Sequence, residues 1–98
     1  MITRIWRGWT RAEDTDAYAE YILGTGIAAY KATPGNRGAY LIGRPDGDRT
    51  EFLTVSFWDD IESVVAFAGG DVDQAVFYPE DDVFLVDRET TVKHFRVH

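Results

Sequence analysis

Three patterns in the chain predict an α+β fold of the ferredoxin-like type, β-α-β-β-α-β, with one four-stranded antiparallel sheet and both helices on one face. The first is a central pair of strand-like runs, Gly38–Arg44 and Arg49–Trp58, separated by Pro45-Asp46-Gly47-Asp48. Proline suits the first turn position and glycine a positive φ, so the pair reads as a tight hairpin. The second is a helical segment on each side of that hairpin. The third is a strand-like run towards each end, Ile2–Trp9 and Thr91–Val97. Each helix joins strands that run the same way, whereas the hairpin reverses direction. A chain of 98 residues holds one core, so residues 1–98 are read as a single domain.

Ile2–Trp9 mixes β-branched and aromatic residues, as a strand does. Thr10-Arg11-Ala12-Glu13 has the spacing of a capping box, and Ala17, Tyr18, Tyr21 and Ile22 follow at helical spacing. Gly24 and Gly26 break that helix, and a further turn through Ile27–Tyr30 ends at Thr33-Pro34-Gly35. After the hairpin, Asp59-Asp60 caps a second helix in which Ile61, Val64, Val65 and Ala68 form one apolar stripe, stopped by Gly69-Gly70. Asp71 and Gln74 predict a short third helix that Tyr78-Pro79 terminates. Val83–Val86 reads as extended or irregular before the last strand.

Composition removes whole classes of function. There is no cysteine, which excludes disulfides, thiolate metal sites and thiol catalysis. The net charge of −7 argues against nucleic acid, whose phosphates need clustered Lys and Arg. No run approaches the roughly 18 apolar residues of a membrane helix, and Arg4 interrupts the N-terminal segment where a signal peptide needs an apolar core. The chain is therefore read as soluble and cytoplasmic. Residues 59–89 carry ten acids against Arg88 alone. Glu80-Asp81-Asp82 lacks the spaced ligands and glycine of a calcium loop, so this stretch reads as a solvated face.

Neither face of the predicted sheet is polar throughout. Leu53, Val55 and Phe57 oppose Phe52, Thr54, Ser56 and Trp58; Tyr40 and Ile42 oppose Ala39 and Leu41; Ile2 and Trp6 oppose Ile5 and Trp9. Helices on one face leave the other apolar and open. Packing sheet to sheet with a second copy resolves this, which predicts a symmetric homodimer.

On this order and these residues the chain resembles the antibiotic-biosynthesis-monooxygenase family of the dimeric α/β-barrel proteins. The resemblance covers nearly the whole chain. It rests on Ile2–Trp9 leading into a helix, Ala32-Thr33-Pro34-Gly35 before the second strand, Phe57-Trp58-Asp59 opening the second helix, and Phe67–Tyr78. It implies a ligand pocket between sheet and helices, once per protomer. The family includes cofactor-free oxygenases of aromatic polyketides, quinol oxygenases, haem-degrading enzymes and small proteins of unknown role. Its haem-degrading members carry an asparagine on the first strand, a tryptophan in the second helix and a histidine ligand shortly after. The matching positions here are Arg7, Phe67 and Phe77, and phenylalanine cannot ligate iron, so no haem or other cofactor is expected.

The expected activity is cofactor-independent monooxygenation of a small aromatic or polyketide-like molecule. The alternatives are a lyase or isomerase on the same fold, or a binding protein without catalysis. His94, the one internal group titrating near neutrality, is the candidate base, against a structural histidine making one hydrogen bond. Arg7, where the family has a polar pocket residue, is the candidate anion holder, against a plain ion pair with an acid such as those at 71–73. Tyr78, before Pro79, is the candidate that closes the pocket. Trp9, Tyr18, Tyr21, Tyr40, Trp58, Phe67 and Phe77 are candidate aromatic walls, and each also suits the core. His98 has no assigned role. Ser56 and Ser63 sit in no nucleophile elbow, and Gly24-Thr25-Gly26 lacks the lysine of a phosphate loop.

Overall fold

In the computed structural model, which describes residues 1–98, strand β1 (Ile2–Arg11) runs through the middle of one sheet. It pairs antiparallel with β3 (Arg49–Trp58) from Ile2 opposite Trp58 to Arg11 opposite Arg49. β3 pairs in turn with β2 (Asn36–Asp46), which forms one edge. On the other side β1 meets two short strands in succession, β4 (Leu85–Arg88) beside Gly8–Thr10 and β5 (Lys93–Arg96) beside Ile2–Ile5. The predicted fourth strand is thus two pieces of one run, and the sheet has five strands rather than four. The ferredoxin-like order and the direction of every strand are as predicted.

The helices are α1 (Thr15–Gly24), α2 (Gly26–Ala32), α3 (Ile61–Ala68) and α4 (Asp81–Phe84). The predicted capping box at Thr10 does not form. β1 continues to Arg11 because its partner β3 begins at Arg49, so Thr10 is buried inside the sheet opposite Thr50. A 3₁₀ turn, Ala12–Asp14, intervenes, and Thr15 ties the start of α1 to the sheet through its hydroxyl, 2.6 Å from that of Thr50. Between α1 and α2, Thr25 leaves helical geometry at φ −116 and ψ −86, which lets the two helices follow different lines.

The hairpin forms, with a tighter turn than predicted. Pro45 and Asp46 belong to β2, opposite Thr50 and Arg49, and only Gly47-Asp48 turn, with Gly47 at φ 64. Pro45 is tolerated because β2 is an edge strand and its missing N–H faces no partner. α3 is capped by Asp60, whose carboxylate accepts from the Ser63 N–H at 2.9 Å; Asp59 instead binds Arg37. α3 is also rotated relative to the predicted stripe. Val64 is fully buried and Phe67 and Ala68 pack on the core, whereas Ile61 and Val65 are exposed.

The predicted third helix at 71–78 is absent. Those residues form an irregular strap held by pairing across space. The Val92 N–H donates to the Asp73 carbonyl at 2.8 Å, the Ala75 N–H to that of Thr90 at 3.0 Å, and Gln74 bridges to Thr91. So short a run gives too few hydrogen bonds to offset helix nucleation, and the competing bridge wins.

Alternation sorts the sheet into two faces. Arg4, Trp6, Gly8 and Thr10 of β1 and Phe52, Thr54, Ser56 and Trp58 of β3 point towards the helices and are buried. Two apolar clusters form there: Trp6, Tyr18, Ile22, Phe52 and Val92, and Ile27, Tyr30, Ala39, Trp58 and Val64. No element covers the opposite face, which carries Ile5, Arg7, Trp9, Glu51, Leu53, Val55 and Phe57. No helix is long and apolar enough to cross a membrane.

Candidate functional site

Between the helix-facing side of the sheet and α1–α3 lies a narrow cleft with a free volume of about 20 Å³, room for one water-sized group, and thirteen lining residues, ten of them hydrophobic. Its floor is Trp6 and Thr54 from the sheet. α1 and α2 supply Tyr18, Ile22, Gly26 and Tyr30, α3 supplies Phe67, and the strap supplies Ala75–Tyr78. Trp6 is held in place twice. Its indole N–H donates to the Glu89 carbonyl at 2.7 Å, and its ring lies over Gly8, where a Cβ would come within 2.4 Å of it. Phe77 meets Trp6 edge-on at 6.2 Å, and Tyr18 stacks obliquely on Phe52 at 5.0 Å.

The polar end of the cleft is made by a turn. Tyr78-Pro79-Glu80-Asp81 closes with the Asp81 N–H donating to the Tyr78 carbonyl at 3.0 Å, and Glu80 has φ −85 and ψ −3. This is type I geometry with proline at the second residue, where its fixed φ belongs. The Asp81 side chain returns the bond: its Oδ2 accepts from the Tyr78 N–H at 2.7 Å. Asp81 is 2% exposed and Tyr18 0%, and both line the cleft. The remaining carboxylate oxygen of Asp81, Oδ1, and the Tyr18 hydroxyl have no hydrogen-bond partner. Burial raises the Asp81 pKa, against the Tyr78 N–H bond and Arg88. Burial, then the charge of Asp81, pushes the Tyr18 phenol far up, and burial also raises Tyr78. Both tyrosines are thus held as phenols.

Of the residues singled out by sequence, Tyr18, Phe67, Phe77 and Tyr78 meet in this cleft. The others do not. Arg7 points to the uncovered face, where it contacts Glu51 at 3.3 Å and Glu89 at 3.4 Å, beside Ile42 and Leu53. Arg7 and Tyr78 were expected in one cavity, but strand alternation puts them on opposite sides of the sheet. Trp9 stacks under Arg7 and Arg49 and donates to Asp46 at 3.1 Å; Tyr40 is exposed on the same side. Trp58 is core, between Tyr30 and Phe67, and Tyr21 packs on Phe84 and accepts from the Glu80 N–H.

His94 faces the helices but sits beside the cleft, opposite Arg4 across the β1–β5 pairing. Its Nε2 lies 3.1 Å from an Arg4 guanidinium nitrogen, and its Nδ1 3.4 Å from Asp73. A guanidinium only donates, so Nε2 is the acceptor and the ring proton is on Nδ1. Burial, then the charge of Arg4, lowers the His94 pKa against the opposing pull of Asp73. Sequence reasoning missed Asp81, which was read as part of a solvated acidic run. The available signal was Tyr-Pro-x-Asp, a proline-led turn whose last residue has a side chain that can bind back to the first N–H.

No family model matches the chain, and no curated protein matches it in sequence. Solved structures do match. A provisionally assigned antibiotic biosynthesis monooxygenase from Nitrosomonas europaea superposes with a TM-score of 0.69 at 14% identity, over 99% of this chain and 98% of that one. The fold is that of the antibiotic-biosynthesis-monooxygenase proteins. The haem degrader MhuD of Mycobacterium tuberculosis, with two haems bound in its active site, superposes at 0.58 with 19% identity over 99% and 95% of the two chains. Rv0793 of the same organism superposes at 0.59 with 16% identity over 99% and 94%.

The cleft of this chain does not fit haem. Its lining contains no histidine, cysteine or methionine, and burial disfavours a tyrosinate ligand. Nor does it contain a lysine or arginine to meet a propionate. The cleft is narrow and mostly apolar, with Tyr18, Tyr78 and Asp81 as its polar lining besides Tyr30 and Thr54.

Proposed function

We propose that the protein binds one small aromatic molecule per chain in the cleft between sheet and helices, and oxygenates it without a cofactor. The observation that carries this reading is the composition of the cleft: aromatic and aliphatic walls closed at one end by Tyr18, Tyr78 and Asp81. The fold shared with a provisionally assigned monooxygenase supports it. In such chemistry the substrate is both electron donor and oxygen acceptor. A hydroxyaromatic loses a proton, its anion passes an electron to dioxygen, and recombination of the radicals forms the new C–O bond. A methylene taken to a carbonyl by one dioxygen releases the second oxygen atom as water, so no external reductant is required. The protein's part is a mostly apolar cleft that keeps water from the reacting centre. Arg7 and His94 lie outside the cleft, so of the three candidate catalytic residues only Tyr78 lines it. A second reading, binding without turnover, is favoured by the absence of a histidine from the lining.

Because Trp6 is part of the floor, tryptophan fluorescence reports occupancy directly. Titration with hydroxylated anthrones and naphthoquinols is expected to quench it saturably, and a Trp6→Phe variant to lose that response. An oxygen electrode then separates the two readings. Uptake that depends on protein and stops at one dioxygen per substrate supports oxygenation; saturable quenching without uptake supports binding alone. If no aromatic probe quenches Trp6, the cleft is not a ligand site.

A further inference from the structure

The cleft has free room for one water-sized group, so an aromatic ring enters it only if a wall moves. The walls are unequal in what holds them. The floor belongs to the continuous β1–β3 pairing, and Tyr18, Ile22 and Tyr30 of the helices are buried in the two apolar clusters. By contrast, no residue from Gly69 to Glu80 is buried, a stretch that includes the strap and its Ala75–Tyr78 wall. The strap follows Gly69-Gly70, where Gly69 takes φ 85 and neither glycine has a neighbour within 4 Å of its Cβ position. Two backbone hydrogen bonds tie its middle to Thr90–Val92. Val76 and Phe77 make no backbone–backbone hydrogen bond and are 38% and 37% exposed. A segment with so few buried contacts and hydrogen bonds opens at lower cost than the sheet beside it.

Resting on the reading of the cleft as an aromatic-binding site, we propose that the strap is the gate of the cleft and that Arg4 is its latch. Arg4 leaves β1 two residues before Trp6, on the same face. Its two terminal guanidinium nitrogens donate to the Val72 and Gln74 carbonyls at 2.5 and 3.0 Å, so one buried side chain holds the strap from the sheet. The partners are neutral carbonyls, so opening parts no buried ion pair, and water that enters as the strap leaves takes their place. Opening about Gly69-Gly70 lifts Ala75–Tyr78 and draws the Phe77 ring off Trp6, which it meets edge-on at 6.2 Å. The closed form has no room for a ring, so the ligand binds the open form alone and its apparent affinity scales with the open fraction. Arg4 touches no ligand in this scheme; it sets the open fraction through the strap.

The chain contains no cysteine, which allows the gate to be locked by one engineered disulfide. Gln74 and Thr91 face each other in an antiparallel bridge, and the paired Cα atoms of such a bridge lie about 4.5–5.5 Å apart, within disulfide reach. By equilibrium dialysis, reduced Gln74→Cys/Thr91→Cys is expected to bind 2-naphthol as wild type does. The oxidised form is expected to lose about tenfold or more in affinity and to recover it with dithiothreitol. Its Ala75 amide is expected to exchange with deuterium about tenfold more slowly than in the reduced form. Arg4→Met is expected to move binding the other way, to about tenfold tighter, because more of the protein stands open. A residue that only stabilised the fold would weaken binding when replaced. If the oxidised form binds 2-naphthol as tightly as the reduced form, the strap is not a gate and the aromatic cleft stands. The same holds if the wild-type Ala75 and Val92 amides exchange no faster than those paired between β1 and β3. If Arg4→Met binds no more tightly than wild type, Arg4 is not the latch. Failure of wild type and both redox forms to bind overturns the cleft and the gate together.

Discussion

His94 is buried beside a guanidinium, and that placement makes protonation costly in the folded state. Its folded pKa lies below the ordinary value of about 6.5, because burial and then Arg4 oppose a second ring proton. Above about pH 6.5 the ring is neutral whether the chain is folded or not, and its contribution to stability is complete. As pH falls from there to the folded pKa, the unfolded chain takes up a proton that the folded one refuses, and stability declines. Urea midpoints measured between pH 8 and 5 are therefore expected to fall on acidification. His94→Gln, which keeps an acceptor for Arg4, is expected to flatten the curve. An unchanged slope in that variant would show that another group governs this range. Asp81 acts with the opposite sign. Its raised pKa means that the folded state binds a proton first, so it adds stability as the pH falls through its folded value.

The strap at 71–78 shows how one residue can hold an element that lacks regular structure. Arg4 is 1% exposed, and its guanidinium donates to the Val72 carbonyl at 2.5 Å and that of Gln74 at 3.0 Å, as well as to His94. No carboxylate lies within ion-pair distance of it, so backbone carbonyls and the Phe67 ring carry the charge. Arg4→Met is expected to free both carbonyls. At about 1 kcal/mol per hydrogen bond, the Ala75 and Val92 amides should exchange roughly 10- to 30-fold faster. The His94 pKa should rise in the same variant, since the neighbouring cation is gone; a histidine titration by NMR reads both the shift and its sign. At this scale the sequence was legible where short-range rules decide. The hairpin follows from the Pro45–Asp48 turn signal and the capped α3 from Asp59-Asp60. It was not legible where distant partners decide. Asp71–Gln74 has the caps of a helix, but its backbone groups are taken by Thr90–Val92 and by Arg4, some 70 residues away in sequence. The site divides likewise. Tyr18, Phe67 and Phe77 line the cleft, whereas Trp9 and Tyr40 lie on the open face and Trp58 in the core; Asp81 is hidden in the sequence because only the folded turn brings part of an acidic run inward, and Arg7, next to Trp6 on β1, faces the other side of the sheet.

At the scale of the whole molecule, the sheet has one covered face and one open face, and the open one carries an apolar patch beside the Arg7–Glu51 ion pair. Along its middle row Tyr40 lies opposite Val55, and Val55 opposite Ile5; Leu53 and Phe57 continue the surface on β3. Tyr40, Ile42 and Phe95 are 58%, 50% and 51% exposed, far more than side chains of this size tolerate together on a soluble monomer. We propose that two copies pack these faces together about a two-fold axis, which buries the patch in one step and leaves the clefts on the outside, one per chain. Sedimentation at micromolar concentration is expected to give about twice the 11.1 kDa of one chain. Val55 sits at the centre of the patch and touches nothing from the helices, so Val55→Asp costs the isolated chain little. In the dimer it buries two carboxylates without partners, at about 1–3 kcal/mol or more each. The dimer should therefore weaken by at least about 30-fold while the circular dichroism of the folded chain is preserved. Ligand binding in the cleft should survive in that monomer, since no residue of the cleft lies on the open face. A wild type that sediments as a monomer at these concentrations, or a Val55→Asp variant that stays dimeric, would show that the open face is covered in some other way.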